Sequence, residues 1–233
     1  DVLFLHQSYP SYYLLTKNPD KPIILYYHGA SNKIQRINFK VSMMLYKNKI
    51  SKIMAVSQAG INQMKKMIGD ISAEVIYNGV DTNFYNPDLS RPFTKGTPQL
   101  LFVSALRPYK KASLLISFMP DLLKKYPKIH LQIVGTGEEK SSLENLVKKL
   151  KLENHVELTG RIDDDELKLR YSSCDVYVSA STFEVCPVPT LEAMACGKPL
   201  VLFDIEPHQE IINISNAGKI FTFDKNSNFI TIL

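Results

Sequence analysis

Two glutamates eight residues apart, Glu184 and Glu192, stand in the strongest constellation of chemistry-bearing residues in this chain. They lie within Ser179-Ala180-Ser181-Thr182-Phe183-Glu184-Val185-Cys186-Pro187-Val188-Pro189-Thr190-Leu191-Glu192-Ala193-Met194-Ala195-Cys196-Gly197-Lys198-Pro199. An apolar strand ends there in a polar loop, two prolines set the entry of a short helix, and Gly197 followed by Pro199 stops it. Glu184 falls in the loop and Glu192 just inside the helix. A helix that starts after a strand presents unpaired N–H groups and a partial positive charge, so a diphosphate can dock on it without a dedicated cation. A carboxylate one or two turns in can hold ribose hydroxyls. A carboxylate earlier in the loop can bind sugar hydroxyls or stabilise developing positive charge. Read with a ligand, the two glutamates bracket a nucleotide sugar. Read without one, Glu192 complements the helix dipole and Glu184 is an exposed loop acid.

Other chemistries lose support from the same sequence. It contains no Gly-x-Ser-x-Gly elbow, no His-Glu-x-x-His pair and no complete phosphate-binding loop, and Gly135-Thr136-Gly137 lacks the third glycine of a dinucleotide fingerprint. Asp163-Asp164-Asp165 precedes a helix and is expected to cap it rather than to hold a metal, so no catalytic metal is expected. Cys174, Cys186 and Cys196 form no Cys-x-x-Cys pair and are odd in number. That argues against a disulfide scaffold or zinc knuckle and fits a reducing cytosol.

Short β-branched runs alternate with helical periods, the pattern of parallel α/β structure, and they fall into two blocks. The first has strands expected near Val2 to Leu5, Ile23 to Tyr27, Ile53 to Val56 and Glu74 to Ile76. One of its helices gathers Ile34, Ile37, Val41, Met44 and Leu45 on a single face, with the lysines mostly elsewhere. From Phe84 to Gln99, three prolines, Gly96, Asn86 and Asp88 interrupt any apolar period, which reads as a linker between domains. The second block has strands expected at Leu100 to Ser104, Ile129 to Val134, Val156 to Leu158, Val176 to Val178, Leu200 to Phe203 and Ile220 to Phe223, with no closing helix after the last. Such an open sheet binds ligands beyond the carboxyl ends of its strands, which places the chemistry in the loops that follow them. The domains are read as 1–90 and 98–233, with the chain expected to be cut at both ends.

These residues resemble a known family. Glu184, seven residues and Glu192, followed by Ala-Met-Ala-x-Gly-x-Pro, match the motif of the retaining GT-B glycosyltransferases of family 4, the "glycosyl transferases group 1" type. Val75-Ile76-Tyr77-Asn78-Gly79-Val80-Asp81-Thr82-Asn83-Phe84-Tyr85 resembles the family's interdomain signature, and Val103-Ser104-Ala105-Leu106-Arg107-Pro108-Tyr109-Lys110-Lys111 its diphosphate loop. Val134-Gly135-Thr136-Gly137 and Gly160-Arg161 resemble further donor-side loops. The resemblance implies an α/β chain of GT-B fold: two Rossmann-like domains with parallel sheets facing a cleft, the amino-terminal one incomplete.

It also implies roles. Arg107, Lys110, Lys111, Gly135, Thr136, Val188, Pro189 and Glu192 bind the donor, and Glu184 contacts the transferred sugar. His28 or His6, each at a strand end toward the cleft, contacts that sugar or positions the acceptor, with His28 ahead of His6. Arginine suits a diphosphate through its bidentate fork and lysine as a compact charge. The sequence departs from the pattern twice: Ala105 occupies the usual arginine position, so Arg107 either substitutes from the same loop or is a surface residue, and Val185-Cys186-Pro187 replaces Gly-Phe-Gly. Pro187 has no N–H to offer the donor.

The implied reaction moves a hexosyl group from a UDP- or GDP-sugar to an acceptor hydroxyl with retention, with no cofactor beyond the nucleotide sugar. The rivals are a phosphorylase or epimerase of the same fold and a truncated remnant that binds nucleotide without transfer. With 45% hydrophobic and 22% charged residues in 233, the composition is that of a globular protein. The net charge of +5 is uneven, because Gly29 to Gly69 contains Lys33, Arg36, Lys40, Lys47, Lys49, Lys52, Lys65 and Lys66 and no acid. Such a stretch attracts an anionic membrane surface, an acidic glycan or nucleic acid. Without a recognisable nucleic-acid module, the expected partners are a nucleotide sugar, a glycan or lipid-linked acceptor and an anionic membrane surface, at the cytoplasmic face of a membrane.

Overall fold

Strands buried on both faces must be apolar almost throughout, and such runs pair in parallel when helices connect them. The computed structural model of the protein describes residues 1–6, 13, 15–17, 20–223 and 228–233. By compactness the chain forms two units, Asp1–Asn78 with Glu184–Pro187, and Gly79–Phe183 with Val188–Leu233.

In the first unit, β1 (Leu3–His6), β2 (Ile23–Tyr27), β3 (Lys52–Ala55) and β4 (Glu74–Val75) make a parallel sheet in chain order. Helix α1 (Lys33–Tyr46) is capped by Asn32, whose side chain accepts from the Gln35 N–H, and α2 (Gln58–Ile68) by Ser57, which accepts from the Gly60 N–H. Leu5, Leu25, Tyr27, Phe39, Met43, Ile61 and Met64 form the core. The apolar face expected on α1 is not the one that packs. Phe39 and Met43 enter the core, while Ile34, Ile37, Val41, Met44 and Leu45 are exposed.

In the second unit, the strands are β5 (Gln99–Val103), β6 (His130–Val134), β7 (Val156–Gly160), β8 (Val176–Ser179), β9 (Leu200–Phe203) and β10 (Gly218–Phe221). The all-parallel order is β10-β9-β8-β5-β6-β7. This is the Rossmann order, in which the chain builds outward from β5 to one edge and then returns to the other side of β5. The connecting helices are α3 (Ala112–Lys125), α4 (Lys140–Lys149), α5 (Asp164–Ser173), α6 (Val188–Ala195) and α7 (Glu206–Ser215). Leu143 and Val147 are the buried pair of α4, and Asp163 caps α5 by accepting from the Glu166 N–H at 2.8 Å. The last strand starts two residues earlier than the sequence suggests. A short helix does follow it, α8 (Phe229–Ile232), whose Phe229 stacks on Phe118 inside the core.

The proline-rich segment 84–99 lies on the second unit. Tyr85 is buried there, Phe93 donates its N–H to Ser173 Oγ, and Arg91 pairs with Asp175. A buried polar network sits at the amino ends of β5 and β6. Arg170 pairs with Glu157 at 3.0 Å and Glu166 at 2.7 Å and lies over the Phe93 ring. The Gln99 amide oxygen accepts from the Lys95 and Gly96 N–H groups, which leaves its nitrogen to donate to His130 Nδ1 at 3.3 Å.

A protonated His130 could not accept that bond. Burial, with Lys95, His155 and Arg170 nearby and against the pull of Glu157, lowers its pKa from 6.5 to about 4. Between those values the unfolded chain binds a proton that the folded chain refuses, so stability rises with pH across that window. We expect the fold to lose up to about 3 kcal/mol as pH falls from 6.5 to 4. The loss should be reduced in His130→Gln, as read by urea unfolding at several pH values.

Candidate donor site

The loops after β5 and β8 flank the point where the strand order reverses, the usual ligand crevice of such a sheet. After β5 the chain runs through buried Leu106 to Arg107 and a single 3₁₀ turn, Pro108–Lys110. Lys111 then takes left-handed backbone, φ 54 and ψ 35, which redirects the chain into α3. Thr182, in the segment after β8, donates both its N–H (2.8 Å) and its hydroxyl (3.0 Å) to the Tyr109 carbonyl. Phe183 packs edge-on against the Tyr109 ring, and Lys110 Nζ lies 5.5 Å from the centre of that ring. The turn bearing Arg107, Lys110 and Lys111 is thereby tied to the β8 side of the crevice.

On its other side the same loop is tied to the one after β6. The Ser104 N–H donates to Val134, the Leu106 N–H to Thr136, and the Glu139 N–H back to Leu106. Gly135 has φ +128 and also donates to the Gly160 carbonyl at 2.8 Å, joining the loop after β7. A Cβ at Gly135 would come within 1.9 Å of the Ser104 carbonyl oxygen, and one at Gly137 within 2.4 Å of that of Leu106. The glycines therefore serve first to let two backbones meet. Thr136 is exposed beside them.

Helix α6 begins at Val188, and Pro189 sits in its first turn. Since Pro189 lacks an N–H, the donors at this end are those of Val188 and the residues after Pro189. The Thr190 hydroxyl is buried, with no hydrogen-bond partner among the described residues. One turn in, Glu192 is partly buried. The wholly buried Tyr171 donates its hydroxyl to Glu192 Oε2 at 2.7 Å, and Tyr85 bonds to the same carboxylate. Burial raises the Glu192 pKa above its ordinary value, with Asp164 adding to the rise and the two tyrosine bonds opposing it. Nothing in the spacing of the motif pointed to these tyrosines.

The remaining sequence candidates lie in the first unit. His6 ends β1 and His28 follows β2, and the parallel register brings them together, with His6 Nδ1 2.8 Å from His28 Nε2. Tyr26 packs edge-on against both rings and donates its hydroxyl to the Ile76 carbonyl. Burial, then the neighbouring His6, lowers the pKa of His28, which favours the neutral ring that one partner of such a bond requires. Glu184 opens the segment Glu184–Pro187 of this unit. Val185 fills the space over Gly29, where a Cβ would be 2.2 Å from its Cγ2, and Asn78 donates to the Cys186 carbonyl at 3.0 Å. Cys174 and Cys196 are buried free thiols, pushed up to about 12 and about 11 by burial, so neither is a nucleophile at neutral pH.

A Rossmann-ordered parallel sheet with a basic turn and a partly buried carboxylate at its switch point is the arrangement common among nucleotide-binding α/β proteins. The chain belongs to the family "Glycosyl transferases group 1", whose model matches residues 89–229, and the model "Glycosyltransferase Family 4" matches residues 1–84. It is similar to an uncharacterised glycosyltransferase of Haemophilus influenzae, 39% identical over 108 residues, covering 46% of this chain and 30% of that protein. It is also similar to a phosphatidyl-myo-inositol mannosyltransferase of Mycolicibacterium smegmatis, 26% identical over 230 residues, covering 96% of this chain and 58% of that one. Among solved structures, Anabaena HepE in complex with UDP and glucose superposes with a TM-score of 0.72 at 25% identity, covering 87% of this chain and 58% of that one. The fold is GT-B, and the chain spans from under a third to about three-fifths of these proteins' lengths.

Proposed function

We propose that this chain transfers a hexosyl group from a UDP- or GDP-sugar to an acceptor hydroxyl with retention at the anomeric carbon. The observation that supports this best is the pairing, at the β5–β8 switch point, of the Arg107–Lys111 turn with Glu192 on the first turns of α6. In this reading Arg107, Lys110, Lys111 and the α6 start near Val188 and Pro189 receive the leaving diphosphate, and no metal or further cofactor is invoked. Gly135 and Thr136 form the neighbouring wall, Glu192 holds the ribose, and Glu184 faces the sugar. His28, bonded to His6, contacts the sugar or the acceptor. The acceptor is a glycan or lipid-linked hydroxyl presented at the cytoplasmic face of a membrane. The UDP and glucose bound to HepE favour UDP as the nucleotide.

Calorimetric titration of UDP and GDP, without metal, tests the donor site. One nucleotide should bind, and Lys110→Ala should weaken it about tenfold or more, the worth of one charge-assisted contact. A folded chain that binds neither nucleotide would replace this reading with that of a remnant. Nucleotide release that requires an acceptor hydroxyl, and not phosphate, separates a transferase from a phosphorylase, and the anomeric proton coupling of the product reports retention.

A further inference from the structure

The exposed stripe of α1 has a shape and charge that call for a specific occupant. With about 100° per residue, Ile34, Ile37, Val41, Met44 and Leu45 fall within an arc roughly 100° wide. Phe39 and Met43, which enter the core, lie on the opposite side of the helix. The stripe is exposed along its whole length, from 46% at Val41 to 78% at Met44. Lys33, Lys40 and Lys47 recur every seven residues along one border of it, and Arg36 lies beside them, anchored through Nε to the Ala30 carbonyl. No acidic residue occurs between Gly29 and Gly69.

We infer that α1 is a membrane-docking helix that lies in the surface of an anionic bilayer, its apolar stripe among the acyl chains and its lysine border on the lipid phosphates. An exposed apolar face flanked on one side by regularly spaced lysines matches the interface of acyl chain and headgroup. A protein partner of ordinary composition supplies no reason for the one-signed border. Among the described residues no helix is long and apolar enough to cross a membrane. The inference rests on the membrane-acceptor part of the proposed function and is independent of the donor site.

Flotation with vesicles of phosphatidylcholine alone and of phosphatidylcholine mixed with phosphatidylglycerol tests it. The 233-residue chain should float only with the anionic vesicles, less so as salt is raised. The triple variant Lys33→Gln, Lys40→Gln, Lys47→Gln should lose about a hundredfold in binding, at about fivefold per lysine. The double variant Ile37→Ser, Met44→Ser should also lose binding while keeping the salt dependence of what remains. Because these side chains are exposed, melting temperatures should be unchanged, and UDP titration of the same variants reports the donor site separately. Equal flotation with neutral and anionic vesicles, or full binding by either variant, overturns the inference. So does absence of vesicle binding together with self-association that Met44→Ser relieves, since the face would then belong to a second copy.

Discussion

Glu192→Ala should lower UDP affinity by about a hundredfold or more and should also destabilise the second unit. Two ribose hydroxyls bonded to a charged acceptor are together worth roughly 3 kcal/mol or more, which sets the affinity loss. The stability loss has a different origin. Tyr171 is wholly buried, and its hydroxyl finds its acceptor in Glu192 Oε2, as Tyr85 does in the same carboxylate. Alanine strands the Tyr171 hydroxyl at a cost of about 1–3 kcal/mol. Glu192→Gln separates the two effects, because its amide oxygen still accepts from Tyr171 while the negative charge is gone. The glutamine variant should therefore melt closer to the parent than the alanine variant, yet bind UDP weakly. Calorimetry beside thermal melts reads both quantities. Parental affinity in both variants would leave Glu192 only the task of satisfying two tyrosines.

Gly135→Ala should cost about 3 kcal/mol or more and abolish nucleotide binding with it. Its φ of +128 is strained for any residue with a side chain, and the added methyl would lie 1.9 Å from the Ser104 carbonyl oxygen, a backbone atom with no rotamer to escape into. Relief requires the loops after β5 and β6 to separate, which breaks the hydrogen bonds that hold the Arg107–Lys111 turn in place. Gly69→Ala is the control, since Gly69 also has positive φ (+81) but has nothing within 4 Å of the added atom. With ψ −161 its backbone is itself nearly reserved for glycine, so the control should cost about 1–3 kcal/mol, and any further loss at Gly135 reports the contact with Ser104. Urea unfolding of the two variants, with UDP titration of whichever remains folded, decides the matter. Equal costs would show that the close approach to Ser104 is readily relaxed.

The strands were legible because most carry a short apolar run, such as Leu-Leu-Phe-Val in β5, bounded by turn residues. The Asp163 cap was legible because an acid just ahead of a helix acts over three residues. Helix α1 shows where such reading stops. Its strongest periodicity, Ile34 to Leu45, marks the outward stripe, while the core takes Phe39 and Met43 from a narrower face. Periodicity finds an apolar face but cannot say which of two faces meets the sheet. The segment 84–99 reads as a linker from its prolines, yet Tyr85, Arg91 and Phe93 attach to residues some eighty or more positions later, beyond any local signal.

The site divides in the same way. Sequence by itself determined the two glutamates, the basic turn, the glycine loop and the family they resemble, because those features depend on neighbours a few residues apart. Tertiary structure alone decided that Tyr171 and Tyr85 hold Glu192, that His6 bonds to His28, and that Gly135 is a glycine because Ser104 crosses beneath it. Those relations follow from strand order and parallel register, which bring distant residues to one end of a sheet, and no local spacing encodes which strand lies beside which.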